Sequence, residues 1–250
     1  MVAKRITRTL LNSAFALMVA GSASVAQAAP VFFGPTPYLS FAPSPGNPGS
    51  PFFPGTTGFS YFWLEDFEKH ALTTPGVTAS TGVATSKFPG AASYVDSVDG
   101  DDKNIDGSGS AGDAFFAENG NAGITFTFNA VTLGALPNSV GIVWTDGLDD
   151  IRFEAFNASN VSLGVLTGTH ADGNFQGGTA EDRFYGVTDA GGISSIRISS
   201  GNSSTTGIEV DHLQYGLRAP LSVNNVPEPS SLALIGIALV GFVAIRGRKA

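Results

Sequence analysis

The stretch Ile124-Thr125-Phe126-Thr127-Phe128 decides the fold class, because apolar and polar residues alternate strictly along it. Successive side chains of a β-strand point to opposite faces, so this period of two predicts a strand with one buried face. Similar alternation recurs at 151–156. Short apolar or β-branched runs continue the series at residues 140–144, 161–166, 183–187, 193–198 and 208–215.

Small clusters of Gly, Asn and Asp separate these runs. They lie at residues 146–147, 157–160, 172–173, 191–192 and 201–202. Such residues favour tight turns because they tolerate positive φ. About eight short strands joined in this way predict an all-β domain, an antiparallel β-sandwich with a jelly-roll-like topology.

A further strand is predicted nearer the N-terminus, where Phe59, Tyr61 and Trp63 alternate with their neighbours. Residues 29–58 form a proline- and glycine-rich segment, with eight of the 14 prolines. Proline cannot donate to a strand ladder, so we expect no regular pairing here, a loop with extended character after Phe41, and 38–41 as a candidate edge strand. The phenylalanines of the segment would be costly to leave in water, so it should lie against the sandwich, which we assign to 59–219, followed by a linker at 220–225.

Charge and cysteine content narrow the function classes. Residues 29–226 contain seven Lys and Arg against twenty Asp and Glu, a net charge of −13, whereas the whole chain carries −8. So acidic a surface repels phosphates, which excludes nucleic acid as a partner. The chain has no cysteine, so it forms no disulfide and no thiolate site.

The first 28 residues have the pattern of a secretory signal peptide. Lys4, Arg5 and Arg8 precede an apolar run at 10–19, and Ala26 and Ala28 occupy the small-residue positions that signal peptidase requires. Cleavage after Ala28 would expose Ala29 as the new N-terminus.

The last 25 residues have the pattern of a sorting tail. Val226, Pro227, Glu228 and Pro229 come first, a hydrophobic helix is predicted over 230–245, and a basic end follows at 246–250. The unbroken apolar run, 232–245, would span roughly 21 Å as a helix, short of the ~30 Å hydrocarbon core. We therefore expect a transient single-pass anchor, with the basic end kept in the cytoplasm.

This tail resembles the PEP-CTERM sorting signal of Gram-negative bacteria that make exopolysaccharide. In that family an exosortase, a membrane enzyme, reads the Val-Pro-Glu-Pro motif, the helix and the basic end. The resemblance implies export through the inner membrane, processing by signal peptidase and exosortase, and a final location at the cell surface or in the extracellular matrix.

The middle of the chain resembles a recurrent group of exported PEP-CTERM proteins with a lectin-like or carbohydrate-binding jelly roll. The similarity covers about 60–218 and includes LEDFE (64–68), GIVWTDG (141–147), AEDRFYGV (180–187) and EVDHLQYG (209–216). It implies an architecture and gives no activity or site.

Residues 96–113 concentrate aspartates among Gly and Ser, which suits calcium, a hard cation that prefers oxygen ligands. The expected ligands are Asp99, Asp101, Asp102, Asp106 and Asp113. A solvated acidic loop without metal is the alternative.

A second set of charged residues comprises Glu181, Asp182 and Arg183 on one predicted strand and Glu209 and Asp211 on the last one. Alternation places Glu209, Asp211, Leu213 and Tyr215 on one face. If the strands meet, Arg183 could pair with Asp211 or Glu209. The set is therefore a structural ion pair, or it binds a ligand or a metal.

Patterns typical of catalysis are missing from the sequence. His70, His170 and His212 lie in no zinc-binding spacing, and no serine stands in a G-x-S-x-G motif. The aromatic residues Trp63, Trp144 and Tyr185 could stack on sugars or pack in the core. The sequence thus favours non-catalytic binding of extracellular polysaccharide, with a glycan hydrolase or lyase and a purely structural matrix protein as the alternatives.

Overall fold

The computed structural model describes residues 28–55, 58–100, 112–174, 180–201 and 206–219. Residues 1–27 of the predicted signal peptide, the residues Asp101, Asp102 and Asp106, and the sorting tail lie outside these ranges. Within them the chain forms twelve β-strands and one short helix. The strands are β1 (Val31–Pro37), β2 (Phe59–Glu65), β3 (Val77–Ala79), β4 (Val83–Thr85), β5 (Ala114–Ala117), β6 (Ile124–Phe128), β7 (Ser139–Gly147), β8 (Ile151–Asn157), β9 (Ser162–Gly168), β10 (Arg183–Thr188), β11 (Ile193–Ser200) and β12 (Ile208–Arg218).

The strands form two antiparallel sheets, which confirms the predicted all-β sandwich. The seven-stranded sheet has the order β1-β10-β7-β12-β5-β4, with β2 also paired to β12. The five-stranded sheet has the order β3-β6-β11-β8-β9. The strands are more numerous than the eight or so expected, because three-residue strands such as β3 and β4 are too short to show a period.

The space between the sheets is filled by one large apolar cluster. Phe126 and Phe153 enter it from the five-stranded sheet, and Ile142, Trp144 and Tyr185 enter it from the seven-stranded sheet. Along β6 the buried positions are 124, 126 and 128, as the alternation predicted. Trp144 and Tyr185 are therefore core residues and cannot stack on a ligand.

The opposite face of the seven-stranded sheet is also covered. Tyr38 and Phe52 of the proline-rich segment, together with Val98, pack on Val143 and Phe184 of that face. We call residues 38–53 and 95–98 the cover. It confirms the expectation that the proline-rich segment lies against the sandwich.

Two glycines permit this close covering. A Cβ atom at Gly141 or Gly186 would lie within 2.3 or 2.7 Å of the Phe184 ring and 3.1 Å of the Phe52 ring. These contacts are shorter than van der Waals separation, so a side chain at either position would displace the rings of Phe184 and Phe52.

The first strand is β1, and the edge strand expected at 38–41 is not formed. β1 pairs with β10 at the edge of the sheet, and its register shifts between Phe33 and Thr36, around Pro35. A bulge in an edge strand accommodates a proline because no partner needs its amide there.

The pattern along β12 departs from simple alternation. The register shifts between Asp211 and Gln214, and His212 has φ 45°. Because of this bulge, Leu213 and Tyr215 enter the same core cluster as Ile208 and Val210. The expectation that Glu209 and Asp211 share a face with Leu213 and Tyr215 is therefore wrong.

The single described helix, α1 (Ala130–Leu133), is capped by Asn129, whose side chain accepts from the amides of Val131 and Thr132. In the ranges that the structure describes, no helix has the length and apolar character needed to cross a membrane.

Candidate functional site

A buried network of hydrogen bonds connects the cover to the centre of β12. Nδ1 of His212 lies 3.0 Å from the hydroxyl of Tyr38, and its Nε2 lies 3.2 Å from Oδ2 of Asp99. The Gln214 amide donates to the Tyr38 hydroxyl at 3.0 Å and accepts from Ser50. Tyr38 and His212 are only 2% and 3% exposed, so the network stabilises the cover and does not present a catalytic base to solvent.

Asp211 holds the other part of the cover. Its Oδ2 accepts from the amide of Val98 at 3.0 Å and from the hydroxyl of Ser97 at 3.2 Å. Burial raises the pKa of Asp211 to about 7, against the lowering effect of His212. Burial lowers the pKa of His212, but Asp211 and Asp99 raise it by more, so that pKa ends above its usual value.

Three buried carboxylates, Asp146, Glu181 and Glu209, lie near one another, and we call them the acidic group. Asp146 is the register partner of Glu209 across β7 and β12, so the two side chains are direct neighbours. Glu209 accepts from the amide of Asp96. Neither carboxylate oxygen of Asp146 accepts a hydrogen bond.

The acidic group has strongly raised pKa values. Burial, followed by repulsion from Glu181, raises the pKa of Asp146 to about 8. The Gly147 amide lowers that pKa somewhat, although it does not point at either oxygen in hydrogen-bonding geometry.

The other two members behave in the same way. Burial raises the pKa of Glu181 to about 7, while hydrogen bonds from the amide of Asp172 and from the Trp144 indole, at 3.3 Å, lower it. Burial raises the pKa of Glu209 well above its usual value, with Asp146 as the strongest repelling charge. The charges that act most strongly on the group are all negative.

The predicted pairing of Arg183 is not formed. Its guanidinium donates to the carbonyl oxygen of Asp182 at 2.8 Å and makes no ion pair with Asp211 or Glu209, all of which are described residues. β7 separates β10 from β12, so a whole strand lies between Arg183 and Asp211. A ligand-binding role for this set of residues stays a prediction.

Of the expected calcium ligands, Asp99 and Asp113 are described. Asp99 contacts His212, and Asp113 contacts His70. Both aspartates raise the pKa of Glu68, after burial, which places them near the same carboxylate. No three His, Asp or Glu residues in the described ranges are grouped so as to hold a metal ion. The calcium loop stays a prediction.

An open groove of about 360 Å³ lies beside β5. Phe88 and Phe116 form its apolar part, with ring centroids 5.1 Å apart, and Glu118, Ser93 and Thr206 supply polar groups. A second groove of about 330 Å³ shares Phe116 and Glu118 with it. We call the two together the β5 groove; its lining combines apolar and hydrogen-bonding groups.

Sequence reasoning missed both the β5 groove and Asp146. Asp146-Gly147 has the composition of a turn, but both residues belong to β7, and the turn comes at 148–150. Phe88 and Phe116 are far apart in the chain and give no local pattern. Of the three aromatics considered for sugar stacking, Trp63 is exposed, at 40%.

Comparison with protein families matches one model, the PEP-CTERM protein-sorting motif, to residues 225–249. The chain carries a PEP-CTERM sorting motif. This confirms the resemblance of the tail, and the motif implies exosortase-dependent export to the surface or the extracellular space. No curated protein matches the chain.

Two solved structures match the chain at low TM-scores. The K1 cleaved adhesin domain of Lys-gingipain from Porphyromonas gingivalis W83 has 15% identity and a TM-score of 0.38, covering 64% of this chain and 100% of that chain. The C-terminal family 22 carbohydrate binding module of Clostridium thermocellum Xyn10B has 10% identity and a TM-score of 0.31, covering 68% and 100%.

Proposed function

We propose that this PEP-CTERM protein is processed by signal peptidase and exosortase and that its sandwich binds extracellular polysaccharide without cutting it. The sorting motif supports the location, since it directs a protein to the surface or the matrix. The transient inner-membrane anchor is part of the proposal.

The observation that carries the binding proposal is the β5 groove. Sugar rings present apolar C–H faces and hydroxyl groups, which suit a surface that combines aromatic rings with carboxylate and hydroxyl oxygens. Phe88, which packs on the largely buried Phe116, supplies the ring, and Glu118 and Ser93 supply the oxygens. Because two grooves adjoin at Phe116 and Glu118, the surface fits a chain of sugars better than a single ring.

The test is retention of the full-length protein on exopolysaccharide from cells that export it. Phe88→Ala should weaken retention about tenfold, equivalent to roughly 1.4 kcal/mol of lost contact. Trp63→Ala is the matched control, because Trp63 is an exposed aromatic outside the groove. The size distribution of the polymer should stay unchanged after long incubation.

Three other results would contradict the proposal. Depolymerisation that disappears in Glu118→Gln would establish a glycan-active enzyme. Absence of retention on any glycan would favour a structural matrix protein. Equal retention of wild type and Phe88→Ala, with unchanged melting temperatures, would place binding elsewhere on the molecule.

A further inference from the structure

Asp146 is a buried carboxylate that lacks a partner. It is 1% exposed, and neither of its oxygens accepts a hydrogen bond. Burying an ionised carboxylate is strongly unfavourable unless it is paired or coordinates a metal. Its strongest electrostatic neighbour, Glu181, is itself negative. Buried Asp146 must therefore hold either a proton or a positive ligand, and no described side chain forms an ion pair with it.

Glu209 faces Asp146, and it likewise forms no ion pair with a described side chain. The two are register partners on adjacent strands, which brings their side chains to the same face of the sheet. Glu209 is 2% exposed, and the charges acting on it, Asp146, Asp96 and Glu181, are all negative. Once ionised, these carboxylates would attract a cation placed between β7 and β12.

We propose that Asp146 and Glu209 together bind one calcium ion between β7 and β12. The described part of the chain contains no group of three metal-binding side chains, so these two carboxylates would be its anchors. Calcium completes its shell of six to eight oxygens flexibly from backbone, water or nearby carboxylates. Magnesium requires near-octahedral geometry and retains its waters, so it fits a buried pair less well.

This site differs from the acidic loop at 96–113, because both of its anchors lie on strands of the sheet. It shares no residue with the β5 groove, but Glu209 is the register partner of Phe116, which lines that groove. Asp146 lies on β7, which does not pair with β5, so Asp146→Asn separates loss of calcium binding from loss of polysaccharide binding.

The first test is thermal unfolding of the full-length protein with calcium and with chelator. A hundredfold excess of calcium over Kd should raise the melting temperature by about 5 °C or more. Asp146→Asn and Glu209→Gln should abolish this rise. In chelator, Asp146→Asn should melt at or above the wild-type temperature, because it removes repulsion. Magnesium should produce a smaller shift.

The second test uses terbium in place of calcium. The chain has two tryptophans, and Trp144 is two residues from Asp146 with its indole bonded to Glu181. In a Trp63→Phe background, excitation of Trp144 should sensitise terbium emission, and adding Asp146→Asn should remove it. This readout decides the question even if Glu209→Gln fails to fold.

The matched control is Asp101→Asn with Asp106→Asn in the acidic loop, which should leave both signals intact. If these loop changes abolish the calcium shift and Asp146→Asn does not, calcium binds in the loop and the proposal is wrong. If calcium has no effect while lowering the pH raises the melting temperature, the carboxylates hold protons only, which also overturns it.

Discussion

The two faces of the seven-stranded sheet are both buried, but they are buried in different ways. The inner face packs on the other sheet through apolar side chains such as Ile142, Trp144 and Tyr185. The outer face meets the cover through a few rings and a connected polar network around Tyr38, His212 and Gln214.

The difference shows how each face obtains its stability. Burial of apolar area is non-directional and scales with the area removed from water, so the inner face depends on packing. A buried polar network contributes little net free energy when every group is paired, but it is costly to leave half satisfied. The stability of the cover should therefore depend on single hydrogen-bonding atoms, whereas the stability of the interior should depend on the volume of its side chains.

The largest expected effect is a cavity in the interior. Phe153→Ala removes a fully buried ring that packs edge-on against Phe32, with centroids 6.4 Å apart, and lies 6.0 Å from Tyr185. We expect a loss of about 3–5 kcal/mol in the free energy of unfolding. Denaturant unfolding measures it, with Val131→Ala on the exposed face of α1 as a neutral control. A loss below about 1 kcal/mol would contradict the account of the interior.

An intermediate loss of stability is expected when one oxygen atom is removed from the cover. Tyr38→Phe keeps the ring stacked on Phe184 but leaves His212 Nδ1 and the Gln214 amide without their partner. The cost should be about 1–3 kcal/mol, that of unsatisfied buried polar groups. Tyr94→Phe, at an exposed tyrosine, is the control. If Tyr38→Phe is neutral, water reaches the network and the cover is looser than the structure shows.

The smallest expected effect is the pH dependence of stability that His170 causes. Burial, followed by the charge of Arg183, lowers the pKa of His170 to about 4, and its Nδ1 lies 3.4 Å from the Tyr185 hydroxyl. The unfolded chain then binds a proton more readily than the folded one, so stability should fall as the pH drops from about 6.5 toward 4.

Since His170 is only partly buried, solvent screening limits the loss to about 1 kcal/mol. His170→Asn should remove this component of the pH profile. An unchanged profile in that variant would assign the dependence to other groups.

Much of the fold could be predicted from local pattern. The alternation at Ile124, Phe126 and Phe128 identified β6 and its buried face, and the same reasoning led to an antiparallel sandwich. The tail motif was likewise recognisable from consecutive residues. Where the chain departs from a regular strand, prediction failed: β1 forms despite its prolines, and the bulge at His212 places Leu213 and Tyr215 with Ile208 and Val210.

The class of fold, the sorting motif and the acidity of the domain follow from the sequence alone, because each depends on composition or on residues adjacent in the chain. Which carboxylates are neighbours depends on the tertiary structure. Asp146 and Glu209 are brought together by the pairing of β7 with β12, and Phe88 and Phe116 by the contact of a loop with β5. Strand register and packing are long-range properties that arise from competition among many possible pairings, so no local pattern encodes them.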